Sequence, residues 1–163
     1  MIKSFYMEET SKKEKYEDLI ALLKSYRQEG RKPEKLTLFS HVVNILKNDF
    51  PYMDWVGFYL KETNEDVLFL GPYIGEPGCD LIPFSKGVCG RAASLKTTQM
   101  VRDVSKISYH IACSSKTESE IVIPLFKSGQ ELIGVLDVDS NALAAFDKTD
   151  EQYLKSIAYL LAE

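Results

Sequence analysis

The sequence predicts an α+β fold, a central antiparallel sheet of about six strands flanked by helices, and three observations lead there. Helical apolar spacing is concentrated towards the two ends of the chain. Short runs rich in aromatic and β-branched residues fill much of the middle. Two of these runs, 120–126 and 131–140, are separated only by a short polar turn containing Ser128 and Gly129, which marks an antiparallel hairpin. Helices segregated around an antiparallel sheet are the α+β arrangement.

From Ser11 the run SKKEKYEDLIALLKSYRQEG opens with a Ser-x-x-Glu capping box, Ser11 with Glu14. Tyr16, Leu19, Ile20, Leu23 and Tyr26 then follow at helical spacing, and Gly30 ends the helix. A second helix starts at about Pro33, carries the apolar stripe Leu36, Phe39, Val42, Val43 and Leu46, and closes at Asp49, Phe50 and Pro51. WVGFYL at 55–60, VLFLGPYI at 67–74 and QMVRD at 99–103 read as strands ahead of the hairpin. The last segment, DKTDEQYLKSIAYLLAE, places Tyr153, Leu154, Ile157, Leu160 and Leu161 on one helical face, with Asp147 or Thr149 as its cap. The stretch 75–119 is the longest irregular one, interrupted by a helix candidate at GRAASLK and one strand. All three cysteines fall inside it, and long loops over a rigid sheet are where sites tend to lie.

A chain of 163 residues suits one domain, with an N-terminal helical segment over 1–32 and the core with its loops over 33–163. A net charge of −4 and no basic run longer than two argue against nucleic acid as a partner. The N-terminus lacks the apolar core of a signal peptide, and no apolar run approaches the ~20 residues of a membrane span. A cytoplasmic protein without membrane partners is the expectation. Three cysteines, Cys79, Cys89 and Cys113, are an odd number, a poor match to a purely structural disulfide framework. Their spacing also misses the short pairs of ordinary zinc sites, although His110 stands three positions before Cys113.

Gly87, Val88, Cys89 and Gly90 sit at the start of a helix, where free N–H groups lower a thiol pKa; a small packed residue is the equal alternative for Cys89. Cys113 lies in the polar loop SYHIACSSKTES, an unusual place for a core thiol. Asp137 and Asp139 share one face of a strand, and Glu120 begins its hairpin neighbour. On a covered face such carboxylates need a proton or a cation; otherwise that face is solvated.

Taken in order, DWVGFYL, LGPYIGEPGCDLIPFSKGVCGRAA, HIACSSKTESEIVIPLF and GVLDVDS resemble the free methionine-R-sulfoxide reductases, enzymes built on a GAF domain. The resemblance runs from about Lys35 to the C-terminus, and the spacing of the cysteines is its most specific part. It implies Cys113 as nucleophile, Cys79 as the main resolving cysteine and Cys89 as an auxiliary one. It also implies Glu120, Asp137 and Asp139 as substrate-binding carboxylates, with Trp55 and Tyr59 beside the sulfoxide. The family's run after the nucleophile begins with Asp, whereas Ser114 and Ser115 follow here and Lys116 replaces a small residue.

The activity that the resemblance implies is thiol-dependent reduction of free L-methionine-(R)-sulfoxide through a sulfenic acid and an intramolecular disulfide, with thioredoxin as reductant. No metal or organic cofactor is needed, and a homodimer through the N-terminal helix is a further implication. The competing class is a non-catalytic GAF sensor whose acidic residues hold a small amine and whose cysteines report redox state. A zinc-holding structural domain is the third.

Overall fold

The computed structural model describes residues 11–28, 33–111, 113–128 and 130–163. Two helices, α1 (Lys12–Gln28) and α2 (Lys35–Asp49), lead into β1 (Trp55–Leu60), β2 (Val67–Ile74) and β3 (Leu81–Pro83). Then come α3 (Gly87–Leu95), β4 (Gln99–Val101), a 3₁₀ turn at Val104–Lys106, β5 (Ser119–Lys127), β6 (Glu131–Ser140) and α4 (Lys148–Ala162). The strands form one six-stranded sheet in the order β3-β2-β1-β6-β5-β4, with every recorded neighbour pair antiparallel.

The capping box expected at Ser11 is present: Ser11 N–H donates to the Glu14 carboxylate at 2.7 Å, and Glu14 N–H to Ser11 Oγ at 3.3 Å. The stop expected at Gly30 lies outside the described residues, as does Gly129 of the hairpin turn. Of the two caps open for the last helix, Asp147 is the one used, accepting from the N–H groups of Thr149 and Asp150. β3 goes unseen in the sequence because it is three residues long and includes a proline; it is held by pairing with Val67–Phe69 of β2. The strand expected over 99–103 stops at Val101, since Asp103 turns back to accept from Ser105 N–H at 3.0 Å.

Strand alternation divides the core into two layers. Val56 and Phe58 of β1, Leu136 and Val138 of β6, and Ile121, Ile123 and Leu125 of β5 pack with the buried faces of α1, α2 and α4. Asp150 anchors this layer. Its fully buried carboxylate accepts from the Tyr16 and Tyr52 hydroxyls, each at 2.7 Å, and pairs with Lys12 Nζ at 2.6 Å, so that α1 is tied to the start of α4. On the opposite face Tyr59, Val122 and Val135 meet Val88, Cys89, Ala92 and Ala93 of α3. The small residues of α3 let it approach the sheet closely, and its first turn faces the acidic residues of β5 and β6. No helix among the described residues is long and apolar enough to cross a membrane.

Candidate active site

The register of the three central strands assembles the site. Trp55 pairs with Asp139, and Asp139 pairs with Glu120 on its other side, giving one row across β1, β6 and β5. The next row on the same face is Gly57, Asp137 and Val122. The absence of a side chain at Gly57 is required, because a Cβ there would lie 2.3 Å from the Trp55 ring. α3 and the loop before β5 cover these rows, leaving a cavity of about 30 Å³ lined by Cys89, His110, Cys113, Glu120, Asp137 and Asp139. A cavity of that volume has room for about two waters.

The carboxylates lie on a covered face. Glu120 and Asp137 are only 6% and 5% exposed, which removes the solvated-edge alternative for them. Burial pushes the carboxyls of Glu120 and Asp139 well above the usual carboxylate range, and the charge of Asp137 pushes both further. Burial raises Asp137 less, to about 7, because the Cys89 thiol and Glu120 favour its ionised form. The three groups thus differ in proton affinity, with Asp137 the first to ionise. Asp137 Oδ1 is buried without a hydrogen-bond partner among the described residues. The cluster offers ligand atoms of Cys89, Glu120 and Asp137 within 4.8 Å of one another, close enough to converge on one small cation.

Cys79 and Cys113 are joined by a disulfide, with Cα atoms 5.2 Å apart. This takes two cysteines out of any zinc ligand set. Cys89, the free cysteine, is buried in the first turn of α3. Burial raises its thiol well above the usual range, with the nearby carboxylates adding to the shift, so the helix N-terminus does not prevail. Trp55 and Tyr59 stand beside the cavity rather than in its lining. Their rings stack at 5.8 Å, and Trp55 Nε1 donates to the Glu76 carbonyl at 2.9 Å in the loop that carries Cys79. Gly78 of that loop passes so near that a Cβ would sit 2.9 Å from the Tyr59 hydroxyl.

The disulfide, the buried acids and the aromatic pair lie on a scaffold shared with known proteins. A family model described as a GAF domain matches residues 36–163. The X-ray structure of free methionine-R-sulfoxide reductase from Neisseria meningitidis in complex with its substrate superposes with a TM-score of 0.84 at 40% identity, covering 94% of this chain and 89% of that one. The chain belongs to the GAF-domain free methionine-R-sulfoxide reductase family. Within that family, the reductase of Saccharomyces cerevisiae is 44% identical over 110 residues, which are 67% of this chain and 61% of the yeast protein. A Dictyostelium discoideum protein described as "GAF domain-containing protein A" is also 44% identical, over 93% of this chain and 92% of its own length.

Two residues of this reductase-family chain gain meaning from the structure. Lys116, where the chain departs from the family pattern, forms an ion pair with Glu76 and so links the loops of Cys113 and Cys79. Both partners are more than half exposed, and such pairs contribute little stability. His110 is visible in the sequence only as a metal-ligand candidate. Its Nε2 lies 3.8 Å from Glu120 Oε2 on the cavity wall, and burial lowers its pKa, leaving it uncharged at neutral pH. The only sequence signal for that place on the wall is its position three residues before a loop cysteine.

Proposed function

We propose that this protein reduces free L-methionine-(R)-sulfoxide to L-methionine, with Cys113 as nucleophile and Cys79 as the resolving thiol. One observation carries the proposal: a buried acidic cluster opens into the same cavity as one sulfur of a closed cysteine pair. Three carboxylates facing one cavity suit an α-ammonium, which a peptide-bound methionine lacks. Family membership supplies the sulfoxide.

In the reduced protein the Cys113 thiolate attacks the sulfoxide sulfur, and a carboxylic acid protonates the departing oxygen. The protonated oxygen passes as hydroxyl from the substrate sulfur to the Cys113 sulfur while the bond between the two sulfurs breaks, so methionine leaves and Cys113 becomes a sulfenic acid. The Cys79 thiol then attacks the Cys113 sulfur, water leaves, and the disulfide closes. The two electrons come from the two thiols, and thioredoxin restores them by exchange. Glu120 and Asp139, which hold protons most strongly, are the donors of choice, while Asp137 supplies the anion for the ammonium. Trp55 and Tyr59 bound the methyl end of the substrate from the neighbouring strand.

The cavity of the disulfide form is too small for an amino acid, so the Cys113 loop moves away from the acids when the bond is reduced and substrate enters. The proposed setting is the reducing cytoplasm, with α1 part of the same unit as the GAF core and forming the contact of a homodimer. The test is NADPH oxidation coupled through thioredoxin and its reductase. The expected outcome is turnover with the free R epimer and very little with the S epimer; a non-catalytic sensor consumes no NADPH with either.

A further inference from the structure

Cys89 has no necessary place in the chemistry proposed above, since the disulfide it would assist is already made by Cys79 and Cys113. Yet it is 3% exposed and lies in the first turn of α3, with its sulfur within 4.8 Å of oxygens of both Glu120 and Asp137. The groups facing this thiol are acids or neutral. Glu120 comes from β5, Asp137 and Asp139 from β6, Tyr59 from β1, and His110 from the loop before β5; no Lys or Arg is among the described residues that line the cavity.

Asp137 meanwhile carries a buried oxygen with no hydrogen-bond partner among the described residues. A buried carboxylate with one oxygen left in that state is costly, and a neutral donor on its other oxygen favours the ionised form without neutralising the charge needed for the ammonium. We infer that Cys89 is a positioning residue, a permanently protonated thiol that donates its S–H to Asp137 and keeps that carboxylate anionic and oriented toward the substrate. This rests on the proposed function above and replaces an electron-carrying role for Cys89 with a hydrogen-bonding one. Its surroundings agree, because burial and three acids all oppose the thiolate that disulfide exchange would need.

The experiment has one arm independent of activity. In the disulfide form Cys89 is the chain's single thiol, so its S–H stretch stands alone in the infrared spectrum. The band is expected at the low frequency of a bonded thiol and should move upward in Asp137→Asn. A band at the free-thiol position that ignores Asp137→Asn overturns the inference, whether or not the protein reduces methionine sulfoxide.

The second arm compares Cys89→Ser, which keeps a donor, with Cys89→Ala and the bulkier Cys89→Val, which do not. Single-turnover methionine release is followed across pH. Serine should rescue, holding the rate within about threefold and the profile in place. Alanine and valine should move the limb where rate rises with pH upward by about one unit, as expected when an ionised carboxylate loses one weak donor. Equal loss in all three variants would mean that the native thiol is needed for packing rather than as a donor, and wild-type profiles in all three would confine Cys89 to a step after methionine release, such as electron transfer; either overturns the inference. Where alanine unfolds, the valine and serine pair decides. An inactive wild type would refute the proposed function and leave the infrared result standing.

Discussion

Glu120 and Asp139 are direct cross-strand partners on β5 and β6, and their carboxyls turn to the same covered face. Like charges placed opposite one another destabilise a sheet, and burial multiplies the cost. With Asp137 two residues before Asp139 on β6, the protein holds three acids where a hydrophobic protein core would place none. Protons relieve the repulsion in the free protein, and in the proposed complex a substrate ammonium takes over that part.

The first prediction is a stability cost that depends on pH. An ordinary aspartate titrates near 3.8, whereas Asp137 in the folded state titrates at about 7. Between these values the folded protein keeps a proton that the unfolded chain releases, so the contribution of Asp137 to stability falls as pH rises through the window and levels off above it. At ~1.4 kcal/mol per unit the ceiling is about 4 kcal/mol, shared with Glu120. Thermal melts should show Asp137→Asn more stable than wild type at pH 8, with the difference vanishing at pH 4. An Asp137→Asn variant no more stable at pH 8 would contradict the shift.

For the carboxylates as ammonium readers, Glu120→Gln and Asp137→Asn are expected to raise KM at least tenfold for free methionine sulfoxide, a loss of about 1.4 kcal/mol or more in binding. Glu120→Gln and Asp139→Asn should lower kcat as well, since each removes a strongly held proton from beside the cavity. Steady-state kinetics on the three isosteric variants separates the effects. Unchanged KM in all three would place the amino group elsewhere.

Trp55 offers an optical test of the crowded β1 face. Gly57→Ala places a Cβ 2.3 Å from the indole, so the ring must move. Overpacking of this kind costs about 1–3 kcal/mol. As Trp55 is the chain's one tryptophan, its emission maximum should shift in the variant, along with a raised KM. A wild-type spectrum with wild-type kinetics would show that the indole has no bearing on the site.

Much of the scaffold is legible in the sequence because its signals are local. The capping residues Ser11 and Asp147 announce their helices, and alternation in β5 and β6 fixes which residues share a face. The illegible parts depend on partners distant in sequence. β3 exists through pairing with β2, and His110 matters because it meets Glu120. Whether Glu120, Asp137 and Asp139 are buried or solvated also lies beyond the pattern, because the answer is set by α3 and the Cys113 loop covering them. For Cys89 the pattern leaves packing and chemistry equally open, and only its neighbours decide between them.

Asp150 gives a contrasting prediction, since it is a buried acid serving the fold alone. Asp150→Ala strands the hydroxyls of Tyr16 and Tyr52 and the ammonium of Lys12, which the carboxylate holds in place. Loss of one member of such a buried network costs about 3–5 kcal/mol. Chemical denaturation should register that loss, while KM at a temperature where the variant is folded should stay within about twofold of wild type. A variant as stable as wild type would mean that α1 is not anchored through Asp150.

The order of the cysteines in the reaction is best resolved by mixing fully reduced protein with excess free methionine-(R)-sulfoxide in the absence of any reductant. Methionine release and disulfide content are measured together. About one methionine per chain should appear with one Cys79–Cys113 disulfide; Cys79→Ser should release the same amount and then stop, and Cys113→Ser none. No methionine from the reduced wild type, or equal release from an N-acetylated, amide-capped sulfoxide, would contradict a free-amino-acid reductase working through Cys113.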